Sequence, residues 1–515
     1  MSAPRISFNS LSCPLLCLSL AAGLPSAHAQ PADGALLVPG AARPLNWELS
    51  WTPLRTKEGG RMALAGASAL LAVNEDWGLG PTVYASAKGN YGGIFMLGLT
   101  GERRWRLSAN THLAAGLFVG GGGGLSSDVL RFGGGLMWRP ELSLRTESGP
   151  WYTGVGLSRV MVPGGNIADT QLNFMLGRQT MFHSFDPVGS GRSGTSGDRG
   201  GLGFDEMSLV AGGYAPSQSI RKRSGDTMGR KVGLAGAALR QYVSPSAWWG
   251  LEAAGGTKGG SDGYMEVMVN LGQDWPIGST GLRAGMQAAL GLAGGGDIDT
   301  GSGWLMKAGP SLRWQSAAGW GWRVDAGWVQ SRGAFHAPYA RFSLDLPLEP
   351  PLRRQQPGAI QTGMVQEQGV MVSLQRVRQV PFKDGSRQDM TQQGLVMTRG
   401  LGEHFYGLAQ AGTAVQGKAG AYAYGPLGLG LRSEPFAGGS WRVGAEVLAG
   451  AGGGGGVQLG GGALRQTELW AQWQGQGDLS RLRLRAGLGQ WGGLRGRGAD
   501  CTQFNLAVGY AWGSL

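Results

Sequence analysis

Few residues of this 515-residue chain carry types and spacings that could do chemistry. His183, Ser184 and Asp186 place a base, a hydroxyl and a carboxylate side by side, the ingredients of a hydrolytic relay. They sit in a Gly/Ser-rich stretch that offers nothing to preorganise them, and no G-x-S-x-G elbow occurs. His112 lies in a strand-like segment and His404 beside one, neither with a serine partner, so lipid hydrolysis has no assembled constellation. Gly412 to Lys418 spell GTAVQGK, a partial phosphate loop, but Ala419 stands where a hydroxyl should hold magnesium. Asp297, Asp299 and Gly301 open a D-x-D-x-G calcium loop without the closing glutamate, leaving the two aspartates as weak calcium candidates. No catalytic residue and no cofactor site is expected.

Charge gives the stronger signal. The formal net charge is +12, yet the arginines alternate with apolar residues instead of clustering on a helix or patch, which argues against nucleic acid. Arg131, Arg283, Arg323, Arg442, Arg483 and Arg485 all oppose apolar faces, with Asp325 and Glu446 as a minority of acids. They are the expected lumen-lining residues of a wall whose inner face is positive, and rings of arginine favour anions.

The elements positioning them read as strands. In 280–293, Leu282, Ala284, Met286, Ala288, Leu290 and Leu292 fall on one face and Arg283, Gly285, Gln287 and Gly291 on the other. Residues 321–329 and 481–491 alternate likewise, the period that places side chains on opposite sheet faces. Most segments are longer than soluble strands and match spanning ones. Trp105, Trp151, Trp248, Trp249, Trp275, Trp304 and Trp320 gather at segment ends, as interfacial girdles do. Glycine supplies 98 residues without a G-X-Y period, which excludes collagen, and 19 tryptophans argue against disorder.

Residues 1–29 read as a secretory signal peptide, with Arg5, an apolar core and Ala27-His28-Ala29 at the cleavage site. Cys13 and Cys17 leave with it, so Cys501 alone can form neither an intramolecular disulfide nor a cysteine metal site. At the other end, the strand FNLAVGYAW resembles the C-terminal sorting signal of bacterial outer-membrane β-barrels through Asn505, Tyr510 and Trp512. Ala507 replaces that pattern's glycine, and Gly-Ser-Leu follows the last aromatic. The resemblance implies outer-membrane lipid and the barrel-assembly machinery as partners.

Glycine runs at 120–124, 294–296 and 452–456 each follow a fifth candidate strand, dividing the chain into three eight-stranded units. These span 45–179, 207–346 and 369–512, joined by a flexible Gly/Ser-rich linker at 180–206 and a semi-rigid Pro-rich one at 347–368. The expected fold is an all-β transmembrane antiparallel barrel of about 24 strands. One wide barrel is preferred, because many inner positions are Gly or Ala and would not fill a small core; three tandem eight-stranded barrels are the alternative. The expected function is an outer-membrane channel for solute or polymer, with an anionic polysaccharide as the suggested cargo. A structural or adhesive anchor is the alternative, and a lipid hydrolase the least supported reading.

Overall fold

The computed structural model describes residues 36–40, 42–124, 130–350, 358–495 and 500–515. The signal-peptide reading for residues 1–29 lies outside them. No described helix is long and apolar enough to cross a membrane, which leaves open crossing by strands.

The first barrel contains β1 (Arg43–Arg55), β2 (Arg61–Ala72), β3 (Trp77–Lys88) and β4 (Phe95–Arg106), then β5 (Thr111–Gly123), β6 (Leu136–Ser148), β7 (Trp151–Met161) and β8 (Ala168–Phe182). A short strand β9 (Ser193–Ser196) leads to the second barrel. That barrel holds β10 (Glu206–Tyr214), β11 (Val232–Tyr242), β12 (Ala247–Lys258) and β13 (Met265–Pro276), then β14 (Leu282–Gly294), β15 (Trp304–Gln315), β16 (Gly321–Ser331) and β17 (His336–Pro347). After β18 (Gln361–Met364) come β19 (Gln366–Pro381), β20 (Arg387–Gly400), β21 (Phe405–Gln416) and β22 (Ala423–Arg432) of the third barrel. It ends with β23 (Trp441–Gly453), β24 (Ala463–Gln474), β25 (Leu482–Gly493) and β26 (Cys501–Ser514).

Each group of eight closes on itself, first strand to last. Leu49 pairs with Leu176, Leu209 with Leu344, and Leu374 with Leu506, all antiparallel. The three eight-stranded units therefore stand as three closed barrels, and the single wide barrel gives way to the alternative. Closure leaves no strand edge unpaired in any of them.

The inner glycines explain why a small barrel can close. They do not leave the core empty; they seat large inward side chains. A Cβ on Gly177 would collide with the Tyr152 ring, on Gly272 with Trp248, on Gly430 with Tyr406, and on Gly444 with Trp470. Large and small residues interdigitate across neighbouring strands, filling the interior without strain.

The glycine runs have a second role, between barrels. Gly294 of the second barrel abuts the backbone of Gly93 in the β3–β4 loop of the first. Gly453 of the third abuts Gly263 in the β12–β13 loop of the second, and Gly123 of the first abuts Gly420 in the β21–β22 loop of the third. One contact thus recurs cyclically three times and closes a ring of three barrels. Backbones approach so closely only where side chains are absent, as between membrane helices that pack through small residues. Trp304 Nε1 donating to Ala87 O at 3.0 Å and Lys383 paired with Asp262 at 2.7 Å add polar ties.

At the opposite end of the barrels the chain enters and leaves each unit. Here the Gly/Ser-rich segment, expected to be flexible, is held: Thr195 of β9 pairs with Thr362 of β18, and Phe185 exchanges two backbone hydrogen bonds with Gly513. Arg199 reaches Asp205 at 2.8 Å and the Tyr242 carbonyl at 2.7 Å. Phe182 meets Trp512 edge to face at 5.2 Å. Of the Pro-rich linker, residues 351–357 lie outside the described residues.

A side chain at the ring contact has no room. Gly453→Val, at φ +158° against Gly263, should destabilise the chain by about 2–5 kcal/mol from overpacking and backbone strain. Gly225→Asn, at φ +90° with open space around it, should change stability by less than about 1 kcal/mol. Thermal unfolding of the two variants in detergent checks the contrast.

Candidate functional site

The polarity of these barrels is inverted relative to a soluble core. Alternation sends apolar side chains outward over the walls and charged and amide ones inward, and the loop-end part of each interior is packed by apolar side chains such as Leu64 and Phe118, Leu234 and Leu305, or Tyr424 and Leu464. On β7 and β8, Val155, Leu157, Leu172, Phe174 and Leu176 are exposed, whereas Ser158 and Asn173 are buried. On β24 to β26, Leu469, Leu488, Phe504 and Leu506 face out while Gln466, Glu468, Gln503 and Asn505 are buried. At the linker end, Trp77, Trp105, Trp151, Trp275, Trp320 and Trp441 are exposed at or beside strand ends. Arg103 stacks over Trp77 and Trp105 at 5.8 and 5.1 Å, and Arg178 over Trp151 at 5.4 Å. Three tryptophans expected in the girdles lie elsewhere: Trp248 points inward, Trp249 packs on Phe204 of the linker, and Trp304 sits at the ring contact with the first barrel.

The interiors are crossed by hydrogen-bonded charge. In the first barrel, Arg145 reaches Glu102 at 2.9 Å and Glu48 at 3.2 Å, and Arg139 reaches Glu141 at 2.6 Å. In the second, Arg313 contacts Glu206 at 2.5 Å and Asp345 at 3.2 Å, Arg240 contacts Asp345 at 2.9 Å, and Arg323 contacts Asp274 at 3.2 Å. Lys307 and Arg341 share Glu252, and Arg341 also pairs with Asp325 at 2.9 Å. The third barrel is different: Arg485 pairs with Glu446, and Arg432 and Arg483 with Glu367, but amides such as Gln375, Gln392, Gln466, Gln503 and Asn505 take many of its inward positions. Recesses at the linker-end mouths of the first and third barrels hold about 20 Å³ each, room for a single water.

The residues expected to line a lumen divide three ways. Arg323 and Asp325 are buried inside the second barrel, and Glu446, Arg483 and Arg485 inside the third. Arg283 lies at the linker-end mouth of the second barrel, donating to the Pro245 and Asp274 carbonyls at 3.0 and 2.8 Å, and Arg442 lies at that of the third. Arg131 is no wall residue; it sits in the β5–β6 loop, where its backbone N–H donates to Asn166. Sequence reasoning missed Glu206, Glu252, Glu266, Asp274 and Asp345, the carboxylates that neutralise the inward cations of the second barrel. Their signal was available: each stands at the same alternate positions as the inner face of its strand. Asp325 pairs with Arg341 rather than standing as a minority acid in a positive wall.

The other candidates are engaged locally. Asp297 accepts from the Ser224 N–H at 3.0 Å and its hydroxyl at 2.5 Å, and Asp299 accepts from the Gly301 and Ala334 N–H groups. Their oxygens thus tie the β10–β11 and β16–β17 loops to their own turn. His183 faces Asp198 at 3.6 Å, the Ser184 hydroxyl accepts from Arg481 at 3.0 Å, and Asp186 accepts from Val188 N. The relay is not assembled. Residues 412–416 of the phosphate-loop match lie within β21, so no loop exists there. His112 pairs with Glu147 at 3.2 Å, and His404 lies exposed with Glu403 and Glu434 on adjacent turns. In the sorting-signal strand β26, Asn505 points inward to Glu468, while Tyr510 and Trp512 pack at the linker end.

The loop end is rich in cations. Arg221, Arg230 and Lys231 of the β10–β11 loop are exposed, as are Lys88, Lys258 and Lys418 at the three β3–β4-type loops of the ring. Arg223 bridges to Asp299 at 3.7 Å and to Asn90 of the first barrel at 3.4 Å. Two carboxylates there are held below their usual range: Glu58 by the Asn166 amide, donating at 2.9 Å, and Asp384 by the Ser386 hydroxyl and N–H.

No family model matches the chain, and no curated protein does. Among solved structures, it is similar to the outer membrane protein OpdK from Pseudomonas aeruginosa, at 11% identity over 92% of this chain and 99% of that one, with a TM-score of 0.23. It is similar to OccAB3 from Acinetobacter baumannii at 11% identity over 92% and 99%, TM-score 0.20. The siderophore receptor PirA from Pseudomonas aeruginosa matches at 9% identity over 92% and 81%, TM-score 0.28.

Removing one inner charge should uncover the cost of burying the others. Arg313→Met leaves Glu206 and Asp345 short of a partner and should destabilise the chain by about 3–5 kcal/mol. Arg131→Met, on the exposed loop, should stay within about 0.5 kcal/mol. Denaturant unfolding in detergent distinguishes them.

Proposed function

We propose that the chain is an integral outer-membrane protein whose three barrels anchor a cation-rich loop surface at the cell exterior. The observation carrying this reading is the inverted polarity: an apolar exterior around each closed barrel, bounded at the linker end by tryptophans. Lipid is the solvent in which that surface is stable, since a soluble monomer rarely exposes so large an apolar area. The short turns and the chain's entry points share one end, which then faces the periplasm, and the long loops face outward. The strand β26, which closes the third barrel against β19, is the segment offered to the barrel-assembly machinery.

The ion-paired interiors make the first two barrels anchors rather than wide conduits. The partner follows from the exposed side chains: Arg221, Arg230, Lys231, Lys88, Lys258 and Lys418 suit the phosphates or carboxylates of an anionic polymer or lipid headgroup. The anchor expected as an alternative from the amino-acid pattern is thereby joined to the anionic polymer. Passage of solute is the second reading, favoured by the amide-rich interior of the third barrel, where Gln392, Gln466 and Asn505 have polar atoms without a hydrogen-bond partner. Among the described residues no hydrolase constellation supports the third.

Two measurements test the proposal. The purified mature chain should need detergent or lipid to remain monodisperse, and in planar bilayers it should show no large conductance steps; wide-pore steps would contradict it. Replacing Arg221, Arg230 and Lys231 together by Glu should weaken retention of an acidic polysaccharide or phosphorylated lipid by roughly tenfold or more. Unchanged retention in low salt would remove the anionic partner.

A further inference from the structure

One buried carboxylate stands apart from all the others. Glu48, Glu102, Glu141, Glu206, Glu252, Glu266, Asp274, Asp325, Asp345 and Glu446 each have an arginine or lysine within ion-pair distance. Glu468, 3% exposed on the inner face of β24, has none among the described residues. Its neighbour Glu446 already takes the charge of Arg485, whose guanidinium is further held by Gln472 and lies over Trp470 at 4.2 Å. The interior around these three groups therefore carries one negative charge more than positive. An isolated carboxylate in such a place is costly unless something neutralises it.

Amide donors face the Glu468 carboxyl. Asn505 Nδ2 donates to both Glu468 oxygens at 3.1 Å, and Gln503 Nε2 donates to one at 3.3 Å. Donors facing both oxygens suit a carboxylate. Gly487 on the adjacent strand makes the space, since a Cβ there would run into the Glu468 carboxyl. Around this seat lie oxygens with unused lone pairs. Gln466 Oε1 and Asn505 Oδ1 are buried without a hydrogen-bond partner, although both amide nitrogens are engaged. Both residues are at least nine-tenths buried, at 1% and 3% exposure.

We propose that the interior of the third barrel holds a monovalent metal cation against Glu468, with the free amide oxygens of Gln466 and Asn505 completing its ligand set. Hard cations take carboxylate and amide oxygens, and a single uncompensated negative charge fits a single positive one. Gln503 orders the carboxylate from the β26 side. The site belongs to the closed third barrel and is independent of the membrane role. It also sets Glu468 apart from Glu367 and Glu446 of the same barrel and from the carboxylates of the first two, where arginine or lysine does the neutralising.

The test uses the full mature chain in detergent, with thermal unfolding followed in NaCl, KCl or choline chloride at one ionic strength and pH. Sodium or potassium should raise the unfolding temperature over choline in a saturable way. Glu468→Gln should fold and lose that difference. Gln466→Leu keeps the carboxylate but removes an oxygen ligand, and should raise the half-saturating salt concentration by about tenfold. It keeps the proposal testable should Glu468→Gln misfold. Equal stability of the wild type in choline and in both alkali salts would overturn the site. So would a larger, saturable shift with calcium that Glu468→Gln abolishes, since that assigns a divalent ion. A wild type insensitive to alkali ions but stabilised on acidification, through Glu468 alone, would place a proton there instead and equally overturn the cation.

Discussion

The constraint on which the structure depends is that every backbone N–H and C=O of the barrel walls must find its partner inside the wall. In lipid no water would replace a missing bond, so only a closed sheet is stable there. Closing at eight strands meets that demand three times over, and it sets the polarity of both faces. An eight-stranded barrel has an interior only wide enough for side chains. The inner face must therefore be filled, and it is filled with hydrogen-bonded charge and amides together with an apolar cluster toward the loop end, while apolar residues also cover the outside.

Glycine makes this closure and the ring compatible. At Gly177, Gly272, Gly430 and Gly444 it is the seat of an inward aromatic ring, so the core fills without overpacking. At Gly93, Gly263 and Gly420 it lets one barrel's backbone touch the next barrel's glycine run. The three repeated contacts lie at the loop end, and the linker strands β9 and β18 tie the opposite end. A ring of three small barrels is thus clamped at both ends along one chain. Separate polypeptides would form such a ring by heterologous contacts whose rotation closes; here the connection in one chain fixes the order as well.

Much of this was legible in the sequence. The two-residue period gave the strands and their faces, and the glycine runs marked the three units because each run occupies the same place in its barrel. What could not be read was where the sheet closes. Pairing of β1 with β8 rather than with a strand of the next unit depends on interior volume, and volume depends on which large residue sits over which glycine. Gly444 and Trp470 are 26 positions apart and meet only in the folded register. The inner charges illustrate the same limit. Arg323 was placed inside from its alternation, but the acids that cancel it, Asp274 and Asp345, lie on other strands. A positive wall was expected where the fold produces a paired one. Arg131 failed for a local reason: it follows the end of a glycine run, where the strand has already given way to a loop.

Hydrocarbon surrounding each barrel and excluded from its interior is the condition that two single-tryptophan variants test most directly, in bilayers whose acyl chains carry bromine, a short-range quencher. One keeps Trp328, which is 52% exposed on the outer face of β16, and the other keeps Trp470, 4% exposed inside the third barrel. Strong quenching of Trp328 fluorescence with little effect on Trp470 is the result the structure predicts. Equal quenching of both, or none of Trp328, would contradict it.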